Sequence, residues 1–232
     1  MDLRAQLIDT CLRMNALGIN QGKSGNASAR LDDRRFLITP SGIPYDELGP
    51  ADIVAMTVDG EWYGEKRPSS EWRFHRDILV ARPDVSAVVH THGMLATSLA
   101  CLHKSIPAFH YMVAAAGGDS IRCAPYATFG TQQLSAHALA ALKDRRACLL
   151  ANHGLIATGT TLAAALALAV EVEALSGMYL KVLSVGEPKL LSGAEMERVI
   201  DLFRTYGTPD FPDRELRHAG IEGAGLEGSV SG

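Results

Sequence analysis

The sequence has few cysteines, no excess of basic charge and no long apolar run. Its four cysteines, Cys11, Cys101, Cys123 and Cys148, are scattered and form no Cys-x-x-Cys pair. They therefore predict reduced, mostly packed thiols and no disulfides. The formal net charge is −4, and a chain without a basic excess is poorly suited to a nucleic-acid backbone. We therefore expect no nucleic-acid partner.

Other signals are also missing. No Gly-x-x-x-x-Gly-Lys phosphate loop is present, so this signature of a nucleotide cofactor is missing. The first residues lack the apolar core of a signal peptide. The longest apolar stretch, residues 162–170, is far shorter than the ~20 residues needed to cross a bilayer. These absences predict a soluble, cytoplasmic protein with no membrane partner.

The length of 232 residues suits one folded domain with a short extension. We predict a domain over residues 1–207. From residue 208 onward, Pro209, Pro212 and several glycines predict a flexible tail over residues 208–232.

Hydrophobic periodicity predicts where the helices and strands lie. Helices are expected at about 3–17, 68–82, 94–102, 131–143, 160–182 and 193–206, and strands at about 27–31, 35–39, 53–58, 85–92 and 147–153. The segment 106–129 is rich in alanine, glycine and proline and has no clear assignment. In the long helix at 160–182, we expect Glu171 and Glu173 to face solvent.

Three histidines stand at the ends of two apolar runs. His90 and His92 close the run that begins at Val85, and both imidazoles point the same way because residues i and i+2 of a strand share a face. His153 closes the run that begins at Ala147. Parallel neighbouring strands would bring these ends to one crevice. The trio predicts a divalent-metal site of the catalytic kind, where three neutral imidazoles leave a coordination position free.

Glu71 and several turns add candidates, each with an ordinary structural alternative. Glu71 is predicted in the first turn of a helix, where it either caps that helix or lies beside the metal as a fourth ligand or general base. Turns at 25–26, 39–42 and 69–70 are common singly, but together their N–H and hydroxyl groups suit a phosphate. The remaining histidines, taken singly, predict hydrogen-bonded structural residues: His75, His103, His110, His137 and His218.

Several motifs, in this order, resemble the class II aldolase and adducin head family. They are Asn20-Gln21-Gly22 with Gly25-Asn26-Ala27-Ser28, Ile38-Thr39-Pro40-Ser41-Gly42, Pro68-Ser69-Ser70-Glu71, His90-Thr91-His92, Ile106-Pro107-Ala108-Phe109-His110-Tyr111, and Asn152-His153-Gly154. The likeness extends from about residue 3 to Gly207, nearly the whole predicted domain. Within the family it is greatest toward the branch that cleaves L-fuculose 1-phosphate.

The resemblance implies a three-layer α/β/α sandwich with a central mixed β-sheet, assembled as a homotetramer with active sites between subunits. It implies that His90, His92 and His153 hold one divalent metal, with Zn2+ as first candidate and Co2+ or Mn2+ as alternatives. Glu71 would be the acid/base carboxylate. The family's phosphate-binding positions are matched by Gly25, Asn26, Ser41, Gly42, Ser69 and Ser70. Tyr111, donated by a neighbouring subunit, matches a proton-donating tyrosine, and Phe129, Phe203 and Tyr206 match positions near the aldehyde.

The implied reaction is the reversible cleavage of a ketose 1-phosphate into dihydroxyacetone phosphate and a small aldehyde. Tyr111 would take the proton of the fourth-carbon hydroxyl, and Glu71 would protonate the enediolate that remains. L-fuculose, 5-deoxyribulose and 5-methylthioribulose 1-phosphates all stay open as substrates. The rival interpretations are a sugar-phosphate epimerase or decarboxylase of the same superfamily, a non-catalytic adducin-like module, and an unrelated zinc hydrolase. Glu71 argues against an epimerase, which would carry aspartate there, and the three histidines argue against an adducin-like module.

Overall fold

The computed structural model describes residues 2–205. The helices are α1 (Leu3–Ala16), α2 (Trp72–Ala81), α3 (Met94–Cys101), α4 (Gln132–Ala141), α5 (Leu162–Val185) and α6 (Gly193–Thr205). The strands are β1 (Asn26–Arg30), β2 (Arg35–Ile38), β3 (Val54–Thr57), β4 (Trp62–Tyr63), β5 (Ala87–Thr91), β6 (Arg122–Ala124), β7 (Ala147–Leu150) and β8 (Gly154–Gly159). Short 3-10 helices span Tyr45–Glu47, Pro50–Asp52 and Tyr111–Ala116. Tyr206 and the predicted tail at 208–232 lie outside the described residues.

The predicted helices and the first histidine strand are confirmed, and local chemistry explains several of their ends. The helices α4 and α5 follow Thr131 and Thr161, whose hydroxyls accept hydrogen bonds from Leu134 N at 3.2 Å and Ala164 N at 3.1 Å. Such caps satisfy backbone donors that a helix cannot pair internally. The unassigned segment 106–129 holds the third 3-10 helix and β6.

Within residues 2–205, the strands form one sheet in the order β4-β3-β2-β1-β5-β8-β7-β6. Among these pairs, β6 with β7 is parallel and the others are antiparallel, so the sheet is mixed. The expectation that the two histidine strands are parallel neighbours is wrong. The strand β8 lies between β5 and β7 and is antiparallel to both, so they share a direction without touching.

Helices cover both faces of the sheet, which gives the predicted three layers. One face packs on α1, α3 and α5, and alternate strand residues such as Val89, Leu149 and Leu155 supply its core. The opposite face packs on α2 and α4 through Val88 and Ile156. The alternation follows from the strand period of two, which sends successive side chains to opposite faces.

The long helix α5 differs from its prediction in two respects. By length and composition its 24 residues could cross a membrane, which the run at 162–170 did not predict, but half of its most apolar window is buried. It packs on β5, β8 and α3. Glu171 is half-buried, whereas Glu173 is buried and does not face solvent. The solvent prediction for Glu173 is therefore wrong, because its carboxylate pairs with the backbone of α3.

Candidate metal centre

The three predicted histidines converge on one point beside the sheet. His90 lies on β5, His92 directly follows that strand, and His153 occupies the turn between β7 and β8. One ligand atom from each of them, together with one carboxylate oxygen of Glu71, all lie within 4.8 Å of one another. The structure therefore brings together side chains up to 82 positions apart in the sequence.

The Nε2 atoms of the histidines point into the cluster. The Nε2 atoms of His90 and His92 are 2.8 Å apart, and those of His90 and His153 each lie 3.1 Å from an oxygen of Glu71. On its other side, His90 Nδ1 donates to the Leu155 carbonyl at 2.9 Å. That bond places the ring proton on Nδ1 and leaves the Nε2 lone pair free to bind a metal.

Glu71 stands just before α2, and its side chain does not cap the helix. The helix begins at Trp72 and not at about residue 68, so the prediction that Glu71 lies in its first turn is wrong, and the capping alternative is not what the structure contains. Glu71 is buried, with 4% of its surface exposed. Its Oε2 accepts a hydrogen bond from Asn26 Nδ2 at 3.0 Å. Its Oε1 is also buried and accepts no hydrogen bond in the described part of the chain, even though His153 Nε2 is 3.1 Å away.

The pKa values of Glu71 and His92 are displaced toward the protonation states that bind metals. Burial raises the pKa of Glu71, but the nearby His90 and His153 outweigh this effect and hold that pKa well below its usual value. Burial, with His90 and His153 adding to it, lowers the pKa of His92 to about 3. An ionised carboxylate and a neutral imidazole are the forms that ligate a divalent cation.

The donor set fits a divalent cation. Three imidazole nitrogens and a carboxylate oxygen are the ligand types of catalytic zinc sites, and they also suit cobalt and manganese. A buried carboxylate oxygen without a hydrogen bond is costly unless another positive partner satisfies it. Glu71 Oε1 is such an atom, at 3.1 Å from His153 Nε2.

Two side chains from other elements fix the loop that carries His92. Asn20 Oδ1 accepts a hydrogen bond from His92 N at 3.2 Å. The carboxylate of Glu173, on α5, accepts from Leu95 N at 2.7 Å and from Ala96 N at 2.9 Å, at the positive N-terminal end of α3. Sequence reasoning missed both contacts, because each joins residues that are more than 70 positions apart.

The predicted phosphate positions come from three separate turns and have different structural roles. Gly25 meets a steric requirement, since an added Cβ would lie 2.6 Å from the His90 carbonyl oxygen. Asn26 is buried, and both ends of its amide are engaged with Glu71 and His75. The remaining positions, Ser41, Gly42, Ser69 and Ser70, lie in two turns joined by a hydrogen bond from Ser69 N to the Thr39 carbonyl and by a bridge between Pro40 and Pro68. Their phosphate role stays a prediction.

Lys23 is a residue that sequence reasoning missed at these turns. Its exposed Nζ donates to the Gly42 carbonyl at 2.8 Å. An ammonium group here adds positive charge to the predicted phosphate site, which the turn motifs alone do not contain. The signal was present in the sequence as a lysine inside a glycine-rich turn, but the partner is 19 positions away.

The predicted aromatic and tyrosine positions divide between two places. A cleft of about 340 Å3 contains Glu71, His92, His153, Ser70 and Phe129 among its lining residues. Tyr111 is 52% exposed and does not line this cleft. Phe203 lines a different cleft, near the far end of β8. Within one chain, the structure therefore brings Phe129 to the metal cluster but not Tyr111 or Phe203.

Comparisons with known proteins agree on the family. Residues 5–180 match the family described as Class II Aldolase and Adducin N-terminal domain. The 5-methylthioribulose-1-phosphate/5-deoxyribulose-1-phosphate aldolase of Rhodospirillum rubrum is 58% identical over 205 residues, which are 88% of this chain and 92% of that protein. The L-fuculose phosphate aldolase of Escherichia coli K12 is 52% identical over 206 residues, 88% of this chain and 95% of that protein. A solved structure described as L-fuculose 1-phosphate aldolase matches with a TM-score of 0.85 and 39% identity, over 88% of this chain and 96% of that one.

The chain therefore belongs to the class II aldolase and adducin N-terminal domain family. Its relatives and its fold assign it to the class II aldolases, which are lyases, and this confirms the α/β fold expected from the resemblance. The class implies a divalent metal, and Glu71 with the three histidines forms a cluster that could bind one.

Proposed function

We propose that this protein cleaves a ketose 1-phosphate reversibly into dihydroxyacetone phosphate and a small aldehyde. The observation that carries the proposal is the convergence of three imidazole Nε2 atoms on the Glu71 carboxylate, at a cleft that His92, His153 and Glu71 line. This donor set and a space for a small substrate occur together. Relatives that are named as aldolases of L-fuculose, 5-deoxyribulose and 5-methylthioribulose phosphates support the same substrate class.

The proposed mechanism assigns one task to each group in the cleft. A divalent cation, with Zn2+ as first candidate, would supply Lewis-acid stabilisation of the negative charge that develops on the substrate oxygens. Glu71 would deliver a proton to the carbon from which the aldehyde departs, and its Oε1, which lies 3.1 Å from His153 Nε2 and accepts no hydrogen bond from the described residues, is the oxygen available for this transfer. The turns at 41–42 and 69–70, with Lys23 beside them, would hold the phosphate. Tyr111 would accept the proton of the fourth-carbon hydroxyl.

We further propose a cytoplasmic homotetramer in which neighbouring subunits complete each active site. Tyr111 is exposed and lies outside the cleft that holds the metal cluster of its own chain, and Phe203 lines a different cleft. A second copy could bring either residue to that cleft. Light scattering after size-exclusion chromatography tests the assembly. A chain that is monomeric at the concentrations where it is active would contradict this part of the proposal.

The reaction is tested by measuring dihydroxyacetone phosphate release from a panel of sugar phosphates with and without a chelator. The panel contains L-fuculose, L-rhamnulose, 5-deoxyribulose and 5-methylthioribulose 1-phosphates, and ribulose 5-phosphate as a substrate for epimerisation. We expect release that stops with chelator and returns with added Zn2+. The substitution His153→Ala should abolish the release of dihydroxyacetone phosphate. The control substitution His137→Ala should not, because His137 lies on α4 and its ring is hydrogen-bonded to the Pro125 carbonyl. Epimerisation of ribulose 5-phosphate without cleavage of any of the 1-phosphates would overturn the proposal.

A further inference from the structure

A chain of buried hydrogen bonds leads from the sheet to the carboxylate of Glu71. Ser28 Oγ lies 2.7 Å from His75 Nδ1, and His75 Nε2 lies 2.5 Å from Asn26 Oδ1. Asn26 Nδ2 lies 3.0 Å from Glu71 Oε2. Ser28 and His75 are 0% exposed, and Asn26 and Glu71 are each 4% exposed. Water therefore has little access to compete for these bonds, and none at Ser28 and His75.

The chemistry of the groups sets the direction of this chain. A carboxylate only accepts hydrogen bonds, so the NH2 end of the Asn26 amide must face Glu71 and its oxygen must face His75. That oxygen also only accepts, so His75 Nε2 carries the ring proton and donates it. Burial lowers the pKa of His75 to about 3, which agrees with a single ring proton. His75 Nδ1 is then an acceptor, and the Ser28 hydroxyl donates to it.

Two rigid elements hold the chain in register. Asn26 and Ser28 lie on one face of β1, and Asn26 is paired directly across the sheet with His90 on β5. His75 lies on α2, the helix that begins immediately after Glu71. Phe74 stacks on the His75 ring at 4.7 Å and meets the His90 ring edge-on at 5.4 Å. The helix α2, which begins directly after Glu71, therefore also supplies His75, and His75 orients the amide of Asn26.

We propose that His75 is a positioning residue for Glu71 and acts by locking the amide of Asn26. Rotating that amide by half a turn would place its NH2 against the Nε2–H of His75 and its oxygen against the Glu71 carboxylate, which are two repulsive contacts. The lock therefore fixes Oε2 of Glu71 and leaves Oε1 directed at His153 and the metal-binding nitrogens. This inference rests on the proposed function only where activity is measured.

The test is a double-substitution cycle on Zn2+ affinity, measured by competition with a chromogenic chelator in the absence of sugar phosphate. The proteins are the full chain, His75→Phe, Glu71→Ala and the double variant. Loss of an outer hydrogen-bond partner typically weakens metal binding about 10–100-fold. We expect His75→Phe to weaken Zn2+ binding by about tenfold when Glu71 is present. In the Glu71→Ala background it should change by less than about twofold, because the group being positioned is gone. Equal weakening in both backgrounds would overturn the proposal.

Further variants separate positioning from general loss of packing. The amide nitrogen of His75→Gln can donate near the place of Nε2, so this variant should bind Zn2+ almost as the parent does. Ser28→Ala should weaken binding in the same background-dependent way but less, and it keeps the test open if His75→Phe does not fold. Ser135→Ala is the matched control, since it removes a buried hydroxyl bonded to Asp77 on the same helix α2 at 2.6 Å. If Ser135→Ala weakens Zn2+ binding as much as His75→Phe, or His75→Gln fails to restore it, the proposal is wrong.

Activity gives an independent readout. If the protein releases dihydroxyacetone phosphate as proposed, His75→Phe should lower kcat by about tenfold or more at saturating Zn2+ and leave KM within about twofold. A change confined to KM would contradict positioning of a proton-transfer group. Because the Zn2+ cycle needs no substrate, a protein that cleaves none of the sugar phosphates would refute the proposed function and leave the inference about His75 to the metal titration.

Discussion

The substitution Glu71→Gln separates metal binding from proton transfer. Glutamine has nearly the volume of glutamate, so the imidazole Nε2 atoms should keep their positions and still hold the metal. A glutamine oxygen can accept the bond from Asn26 Nδ2, now 3.0 Å long, while its NH2 group turns toward His153, where Oε1 lies 3.1 Å from Nε2. The glutamine amide cannot take up and release a proton near neutral pH, so it cannot act as a general acid or base. A positioned general acid or base contributes about 10²–10⁴ in rate, or about 2.7–5.5 kcal/mol of activation free energy, so kcat should fall by that factor.

Two assays follow the consequences of this change. Zinc content is measured by elemental analysis, and the exchange of carbon-bound hydrogen of dihydroxyacetone phosphate with solvent deuterium is followed by NMR. Exchange needs the proton transfer but no aldehyde, so it should be lost together with cleavage. Glu171→Gln is a suitable control because that half-buried residue lies on α5 and outside the cleft. Full turnover in Glu71→Gln, or a loss that only tracks missing zinc, would refute the assigned role.

Three other changes test separate parts of the structure. Asp77 accepts hydrogen bonds from Arg76, Ser135 and Gln132. Burial alone would raise the pKa of Asp77, but these partners lower it. The substitution Asp77→Asn should therefore cost about 1–3 kcal/mol of unfolding free energy at pH 7. This difference, followed by urea denaturation, should begin to shrink near pH 3.8 and vanish below the lowered pKa; a difference that grows in acid would contradict it. Gly93→Ala places a Cβ against the Glu173 carboxylate and should cost about 1–3 kcal/mol in the same assay, and an unchanged stability would refute the clash. Lys23→Ala should raise KM for the phosphorylated substrate about three- to tenfold with kcat nearly unchanged, and the same KM at low and high salt in both proteins would count against a phosphate contact.

The histidine cluster was predictable because each member obeys a local rule. The strand period predicts that His90 and His92 share a face, although His92 lies just beyond the end of β5, and the strand-then-glycine context singles out His153. Their grouping was predicted correctly even though the assumed strand neighbours were wrong. The strand β8 escaped notice because it begins at Gly154, directly after the turn that carries His153, and its apolar run between the two glycines is only three residues long, 155–157.

The contacts that support the ligands could not be predicted in this way. Glu173 lies in a helix that is apolar on nearly every side, so its periodicity does not reveal which face is buried. Its partner, Leu95 N, is 78 positions away. Asn26 likewise reaches Glu71 across 45 positions, and a motif cannot show which end of its amide faces the carboxylate. Such pairings depend on how separate elements pack, which a single sequence does not encode locally.

The register of the strands that surround β8 determines whether the candidate metal ligands come together. Asn26, His90 and Ile156 occupy one row across three strands, and His153 sits in the turn that sets the alignment of β7 with β8. A one-residue slip of β5 against β1 and β8 would turn His90 to the opposite face, away from Glu71 and His153. Only correctly paired chains could then capture the ion, and at a free concentration one hundred times its Kd it would favour them by about 2.7 kcal/mol. A bound metal would thus stabilise the correct strand register, in addition to the part proposed for it in catalysis.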